Sequence, residues 1–221
     1  MHNRHHNSKT GFTLVEVMIA MAVIVLVVFA STSIVVSVIR SNNENIDTLV
    51  AYGLAQEGLE GLRNIRDSNW LLDAKFNGKI RTVDVWGESF PDSTEAAYYT
   101  IDLATLERST LGVDSPDALA STTPWKLSGI SQEAAENLDD TTLILKLEDS
   151  ITGEVRYGHS QSLGSGDETL FHRYVTIQNI SDPAQPMDKI RVSSVVNWME
   201  LARKKEVRMD TVLTDWNQGQ L

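Results

Sequence analysis

Glu16 is the first residue in this chain whose chemistry needs a reason. It is the only charged side chain between Phe12 and Ile39, and a carboxylate inside an apolar span costs several kcal/mol unless it is paired. Thr13 and Glu16 have the T-x-x-E spacing of a capping box, which satisfies backbone N–H groups at a helix start. A carboxylate in a first turn also suits the positive end of the helix dipole. Directly ahead lie Gly11 and Phe12, where a polar leader carrying Arg4 and Lys9 gives way to the apolar run.

Other candidates for chemistry are sparse. His2, His5 and His6 fall in the leader, where a flexible tract lacks the preorganised geometry of a metal site. Downstream, His159 and His172 are the only histidines. His159 and Ser160 are neighbours in sequence, which by itself does not make a nucleophile–base pair. Asp139-Asp140 and Glu148-Asp149 lack the spacing of a calcium loop and read as a solvated acidic edge. Asn179-Ile180-Ser181 matches a glycosylation sequon, a pattern common by chance. No G-x-S-x-G, H-E-x-x-H, P-loop or G-x-G-x-x-G pattern occurs. The reading is therefore a chain with no catalytic residue, no cofactor and no metal site.

Composition sets outer bounds. The chain has 221 residues, a net charge of −11 and no cysteine. The acidity argues against nucleic acid as a main partner, because phosphate binding needs clustered Lys and Arg. The lack of cysteine excludes disulfides and thiolate metal sites and leaves the compartment open.

As a helix, Phe12 to Ile39 spans roughly 40 Å, more than a ~30 Å hydrocarbon core. Basic residues precede the run and acids follow Arg40, which places the N-terminus in the cytoplasm and the remainder outside. A cleaved secretory signal has a shorter apolar region, and Ala30-Ser31 only mimics its cleavage site. A plain signal anchor fits the length and leaves Glu16 unexplained.

Gly11-Phe12-Thr13-Leu14-Val15-Glu16 resembles the cleavage and methylation motif of type IV prepilins. The resemblance implies a cut by prepilin peptidase between Gly11 and Phe12, and N-methylation of Phe12. It implies that Glu16 then pairs with the N-terminal amine of a neighbouring subunit as a filament assembles. The pairing is coherent, since opposite charges attract strongly where the dielectric is low. Many family members carry a proline midway down the apolar segment. This run has none, so less local kinking is expected.

Ser41 to Asn45 is polar but contains neither Pro nor Gly, so the helix need not stop there. Ile46, Leu49, Val50, Leu54, Leu62 and Ile65 recur at helical spacing, with Ala51, Ala55 and Leu59 beside them. Asp47, Gln56, Glu57, Glu60, Arg63 and Arg66 fill the other face, which makes an amphipathic helix for a head domain to cover. Gly53, Gly58 and Gly61 each disfavour a helix, and close packing of the head is the favoured reason. The stretch from Leu54 to Trp70 is similar to minor pilins of the type IV pilus modification class.

The rest, about 150 residues, is long enough for one compact domain. Asn77-Gly78 signals a hairpin. Tyr98 to Leu103 reads as a strand, Ser131 to Leu138 as a short helix capped by Ser131, and Leu143 to Leu147 with Val155 to Tyr157 as a hairpin around Thr152-Gly153. Gly164 to Glu168 reads as a loop, and Glu107 to Pro124 as a long surface loop. Arg173–Asn179, Ile190–Trp198 and Glu206–Leu213 read as antiparallel strands, with Arg203-Lys204-Lys205 as a solvated turn.

The expected fold is thus α+β and pilin-like, a long N-terminal helix packed on an antiparallel β head. Its parts are leader 1–11, hydrophobic helix 12–40, amphipathic continuation 41–70 and head 71–221. The expected function is a minor type IV pilin, not an enzyme. Its partners would be prepilin peptidase, other pilin subunits, the inner membrane and the pilus assembly machinery. It would sit single-pass in the inner membrane and then in an extracellular filament. A type II secretion pseudopilin shares the motif. A membrane-anchored extracellular binding or enzymatic domain is the alternative from another class. An adhesive or DNA-binding head is a further possibility, the latter weakened by acidity.

Overall fold

The computed structural model describes residues 11–71, 94–103, 125–148, 153, 155–159, 166–182 and 188–215. The Asn77-Gly78 hairpin, the leader through Thr10 and the Glu107–Pro124 loop lie outside these residues. The chain divides into two units, Met1–Asp47 and Thr48–Leu221, and one α-helix, α1 (Leu14–Leu71), runs through the division.

In the first unit α1 presents a mostly apolar surface as far as Ile39 and a polar one from Arg40 to Asn45. Leu14, Leu26, Phe29 and Ile34 are exposed, and the most apolar window has none of its surface buried by the chain, in a helix long enough to cross a membrane. Two of the hydroxyls in the run, those of Ser31 and Thr32, bond to the helix itself. Ser31 Oγ donates to the Val27 carbonyl at 2.8 Å and Thr32 Oγ1 to that of Val28 at 2.9 Å. Such bonds to the preceding turn satisfy a hydroxyl that has no water to bond.

In the second unit α1 packs on a seven-stranded antiparallel sheet. The strands are β1 (Ala97–Leu103), β2 (Trp125–Ile130), β3 (Leu143–Glu148), β4 (Val155–His159), β5 (Asp167–Asn179), β6 (Lys189–Glu200) and β7 (Arg203–Thr214). This is the expected α+β, pilin-like layout. Ala51, Leu54 and Ala55 meet Ile144, Phe171, Val196, Trp198 and Val207. Further along, Leu59, Leu62 and Ile65 meet Tyr99, Ile101, Val175, Ile177, Ile190 and Val192. The alternation predicted for Ile190 to Trp198 holds, because period two sends Ile190, Val192, Val196 and Trp198 to the α1 side.

The covered face of α1 differs from the expectation. Packing begins at Ala51, whereas Ile46, Leu49 and Val50 stay exposed. The buried face is centred on small residues, Ala51, Ala55, Gly58 and Gly61, which let the sheet come close. Gly58 and Gly61 are explained by that approach. A β-carbon on Gly58 would sit 2.6 Å from Ser194 Oγ, and one on Gly61 2.7 Å from Ile101 Cδ1.

The long strand β5 is where the sheet branches. β6 follows one of its edges from Phe171 to Asn179. Along the other edge β1 pairs at Val175–Ile177 and β3 pairs nearer the strand start, from His172 back to Asp167. β2 extends from β1 and β4 from β3. The second face of the sheet is not simply solvated. The short helix α2 (Gln132–Glu136), capped by Ser131 as predicted, sets Ala135 on Tyr174 and Val195.

Strand readings change at their ends, and one strand is new. β5 begins at Asp167, so Asp167 and Glu168 leave the loop assigned to them. β2 has no counterpart in the sequence reading. The β6–β7 connection is Leu201-Ala202, and Arg203 to Lys205 already pair in β7. Leu201 and Ala202 both have positive φ, 47° and 62°, as a two-residue type I′ turn requires. The sequence gives no hint of it, because Asn and Gly are the usual residues there.

Candidate functional site

The structure places Gly11, Phe12 and Glu16 at one helix start. Gly11 and Phe12 precede α1 and are exposed. A β-carbon at Gly11 would meet nothing within 4 Å, so no packing within the described chain calls for a glycine there. Thr13 caps the helix: its Oγ1 accepts from the Glu16 backbone N–H at 3.3 Å, and its carbonyl accepts from Val17 N–H at 3.2 Å. This is the Thr13 half of the capping box. Among the described residues the Glu16 carboxylate enters no ion pair. An exposed, non-helical Gly-Phe step before a capped apolar helix is a segment that a peptidase can hold extended.

Residues 6–32 match the family model described as the prokaryotic N-terminal methylation motif. The chain carries a type IV pilin-like signal. No curated protein and no solved structure matches it. The motif is common to type IV pilin-like chains and pseudopilins, and it implies processing by prepilin peptidase and assembly with pilin machinery in general. With the apolar helix it fits a membrane-anchored N-terminus.

A second constellation lies in the head, and sequence reasoning missed it. Asp102 of β1, His159 of β4 and Arg173 of β5 are all buried. Asp102 Oδ1 accepts from the His159 backbone N–H at 2.8 Å and lies 2.6 Å from His159 Nδ1. His159 Nε2 lies 2.9 Å from the Arg173 carbonyl. Both ring nitrogens therefore face acceptors, and both bonds form together when the ring carries two protons. The Arg173 guanidinium donates to the carbonyls of Leu54 at 3.2 Å and Ile101 at 2.8 Å, and it lies 3.4 Å from Glu57 Oε2.

This cluster closes the branch of the sheet and fastens it to α1. Where β1 and β3 part along β5, backbone groups lose their ladder partners and need others. The Arg173 N–H finds the Thr142 carbonyl at 2.8 Å, and side chains serve the rest. Burial pushes the Asp102 carboxyl up, but the hydrogen bonds and charge of His159, with the charge of Arg173, outweigh it and hold the group below its usual 3.8. No local spacing announces the cluster, because its members come from three separate strands.

The remaining candidates are local. His172 lies within β5, half-buried, with Nδ1 3.1 Å from Thr142 Oγ1 and 3.3 Å from the Asp139 carbonyl. Burial pushes its ring below the ordinary histidine value, against the pull of Asp139 and Asp140. Asp139 Oδ1 accepts from the Thr141 N–H at 2.9 Å, a turn contact that lowers its carboxyl. Among the described residues no three His, Asp or Glu side chains gather as metal ligands. The sequon residues serve the fold: Asn179 Oδ1 accepts from Ser181 N–H, and Ser181 Oγ accepts from the N–H groups of Asp188 and Lys189.

Proposed function

We propose that this chain is a minor type IV pilin, a non-enzymatic filament subunit made as a membrane prepilin. Prepilin peptidase cuts it between Gly11 and Phe12 and methylates Phe12. The new positive amine heads the apolar helix, and Glu16 pairs with the amine of a neighbouring subunit. The chain sits single-pass in the inner membrane with its N-terminus in the cytoplasm. It then passes, with other pilin subunits and the assembly machinery, into an extracellular filament.

The observation that carries this reading is the Gly11–Glu16 motif standing before an apolar helix that the chain does not bury. A carboxylate without an ion partner inside such a helix is explained by a partner from another copy. The resemblance of Leu54 to Trp70 to minor pilins favours a pilus over a secretion pseudopilus. The burial of the Asp102–His159 pair, whose ring has 0% exposure, supports a structural role for it over a catalytic one.

Substitution of Glu16 tests the assembly role. Glu16→Ala should leave cleavage intact and lower incorporation into filaments by tenfold or more, since ~1.4 kcal/mol of lost pairing already gives about that factor. Normal incorporation of the cut variant would show the carboxylate dispensable and overturn the role.

A further inference from the structure

At one end of the head, apolar side chains stand outside its core. Leu201 is 66% exposed, Met199 51% and Leu170 45%. The β5–β6 register pairs Phe171 with Trp198, and one step on it sets Leu170 beside Met199. Period two turns both to the face away from α1, because Phe171 and Trp198 belong to the core on the α1 side. Leu201 follows in the β6–β7 turn. A two-residue turn usually exposes Asn or Gly. Here it exposes a leucine at positive φ, and no core cluster includes that side chain. Three cations come directly after the turn. Arg203 enters no ion pair among the described residues, Lys204 donates to the Glu136 carbonyl, and Lys205 pairs with Glu200 at 3.7 Å. At this end of β5 and β6 the acids are Glu200, Asp167 and Glu168, of which Asp167 faces Lys146 across the β3–β5 ladder.

This is the end at which the chain enters the head. Trp198 and Val207, near the turn, pack with Ala51 and Leu54, whereas Ile190 and Leu213, at the far ends of the same strands, pack with Leu62 and Ile65. The apolar run ends at Ile39, and residues 40–47 lie between it and Thr48. Whatever their direction, they tether this end of the head within roughly 30 Å of the end of the run. We propose that the β6–β7 turn is a lipid-contacting surface. Leu201, with Met199 and Leu170, seats in the interface of the bilayer that anchors the chain, and Arg203 and Lys204 meet lipid phosphates. The bilayer is the occupant that fits these features. The tether gives it a high effective concentration. An apolar tip flanked by cations suits the boundary of acyl chains and head groups, where Lys and Arg reach the polar layer and gain from anionic lipid. The proposal rests on the reading of the apolar run as a membrane anchor, and it concerns the subunit in the membrane before assembly.

The chain has no cysteine, so one introduced thiol carries one fluorophore. The full-length protein, labelled at Ala202→Cys, would be reconstituted in phosphatidylethanolamine–phosphatidylglycerol vesicles whose acyl chains bear nitroxide quenchers. The control is a label at Val212→Cys, an exposed position toward the far end of β7. The label at position 202 should be quenched strongly and the label at 212 little. Leu201→Asn, added to Ala202→Cys, should shift the contact about tenfold toward the free head. Arg203→Glu should also weaken it. Asparagine suits the turn, so the head should stay folded, and thermal unfolding of the same samples checks this. Equal quenching at 202 and 212, no quenching at 202, or indifference to Leu201→Asn would overturn the contact. Indifference to Arg203→Glu would overturn the part given to the cations. Flotation of the protein with the vesicles reads the anchor separately: failure to float overturns anchor and contact together, whereas flotation without quenching at 202 overturns the contact alone.

Discussion

A β-carbon on Gly61 would lie 2.8 Å from Cε3 of the Trp125 indole. The helix backbone thus rests against an aromatic ring that cannot withdraw by rotating a terminal atom. Gly61→Ala should overpack this contact and destabilise the head by about 1–3 kcal/mol, less the ~1 kcal/mol that alanine returns as a helix former. Gly53→Ala has only the second effect and should stabilise by up to ~1 kcal/mol. Denaturant unfolding of the detergent-solubilised chain checks the pair of signs. The same sign for both would contradict the assignment of their roles.

The branch cluster sets an acid limit. Asp102 binds its proton more weakly folded than unfolded, because His159 and Arg173 favour the carboxylate despite its burial. Near the unfolded value of 3.8 the unfolded chain therefore holds more protons, and stability rises with pH there. The contribution is full above that value and is lost as pH falls through the lower folded one. Asp102→Asn should destabilise by about 3 kcal/mol at neutral pH and flatten this lowest part of the stability profile.

His172 acts in a higher window. Its folded pKa lies below 6.5 because burial disfavours the charged ring. Its contribution is present above 6.5 and is lost as pH falls through the folded value, because the unfolded chain takes up the proton first. His172→Gln should reduce the slope of stability against pH just below 6.5 and leave the Asp102 region unchanged. Unfolding midpoints across pH, for both variants, separate the two groups.

The Leu201-Ala202 turn holds two side-chain-bearing residues at positive φ. Each left-handed non-glycine residue costs roughly 1 kcal/mol. Leu201→Asn with Ala202→Gly should therefore stabilise the β6–β7 hairpin by about 1–2 kcal/mol. A loss of stability, measured by thermal unfolding, would show that Leu201 has packing contacts that outweigh the strain.

What was legible in the sequence was what repeats or stands alone. Glu16 was visible because a single carboxylate interrupts an apolar run, and Ser131 because a capping residue sits beside the helix it starts. The helix and the period-two strands β5 and β6 were visible through their spacing. Their partners were not. Ile46, Leu49 and Val50 share the apolar character of Leu54 and Leu62, so only the sheet shows where packing begins. Asp102, His159 and Arg173 are single polar residues, Asp102 and His159 being 57 positions apart in sequence, and no short-range pattern joins them. β2 hid in a stretch whose only aromatic is Trp125, and the Leu201-Ala202 turn lacks the residues that announce one.

The central claim concerns what happens between Gly11 and Phe12, and the mass of the mature N-terminal peptide tests it most directly. The protein, recovered from cells with an active prepilin peptidase, should begin at Phe12 and carry one added methyl on its amine. A chain that retains its leader, or one that begins near Ser31, would contradict the account.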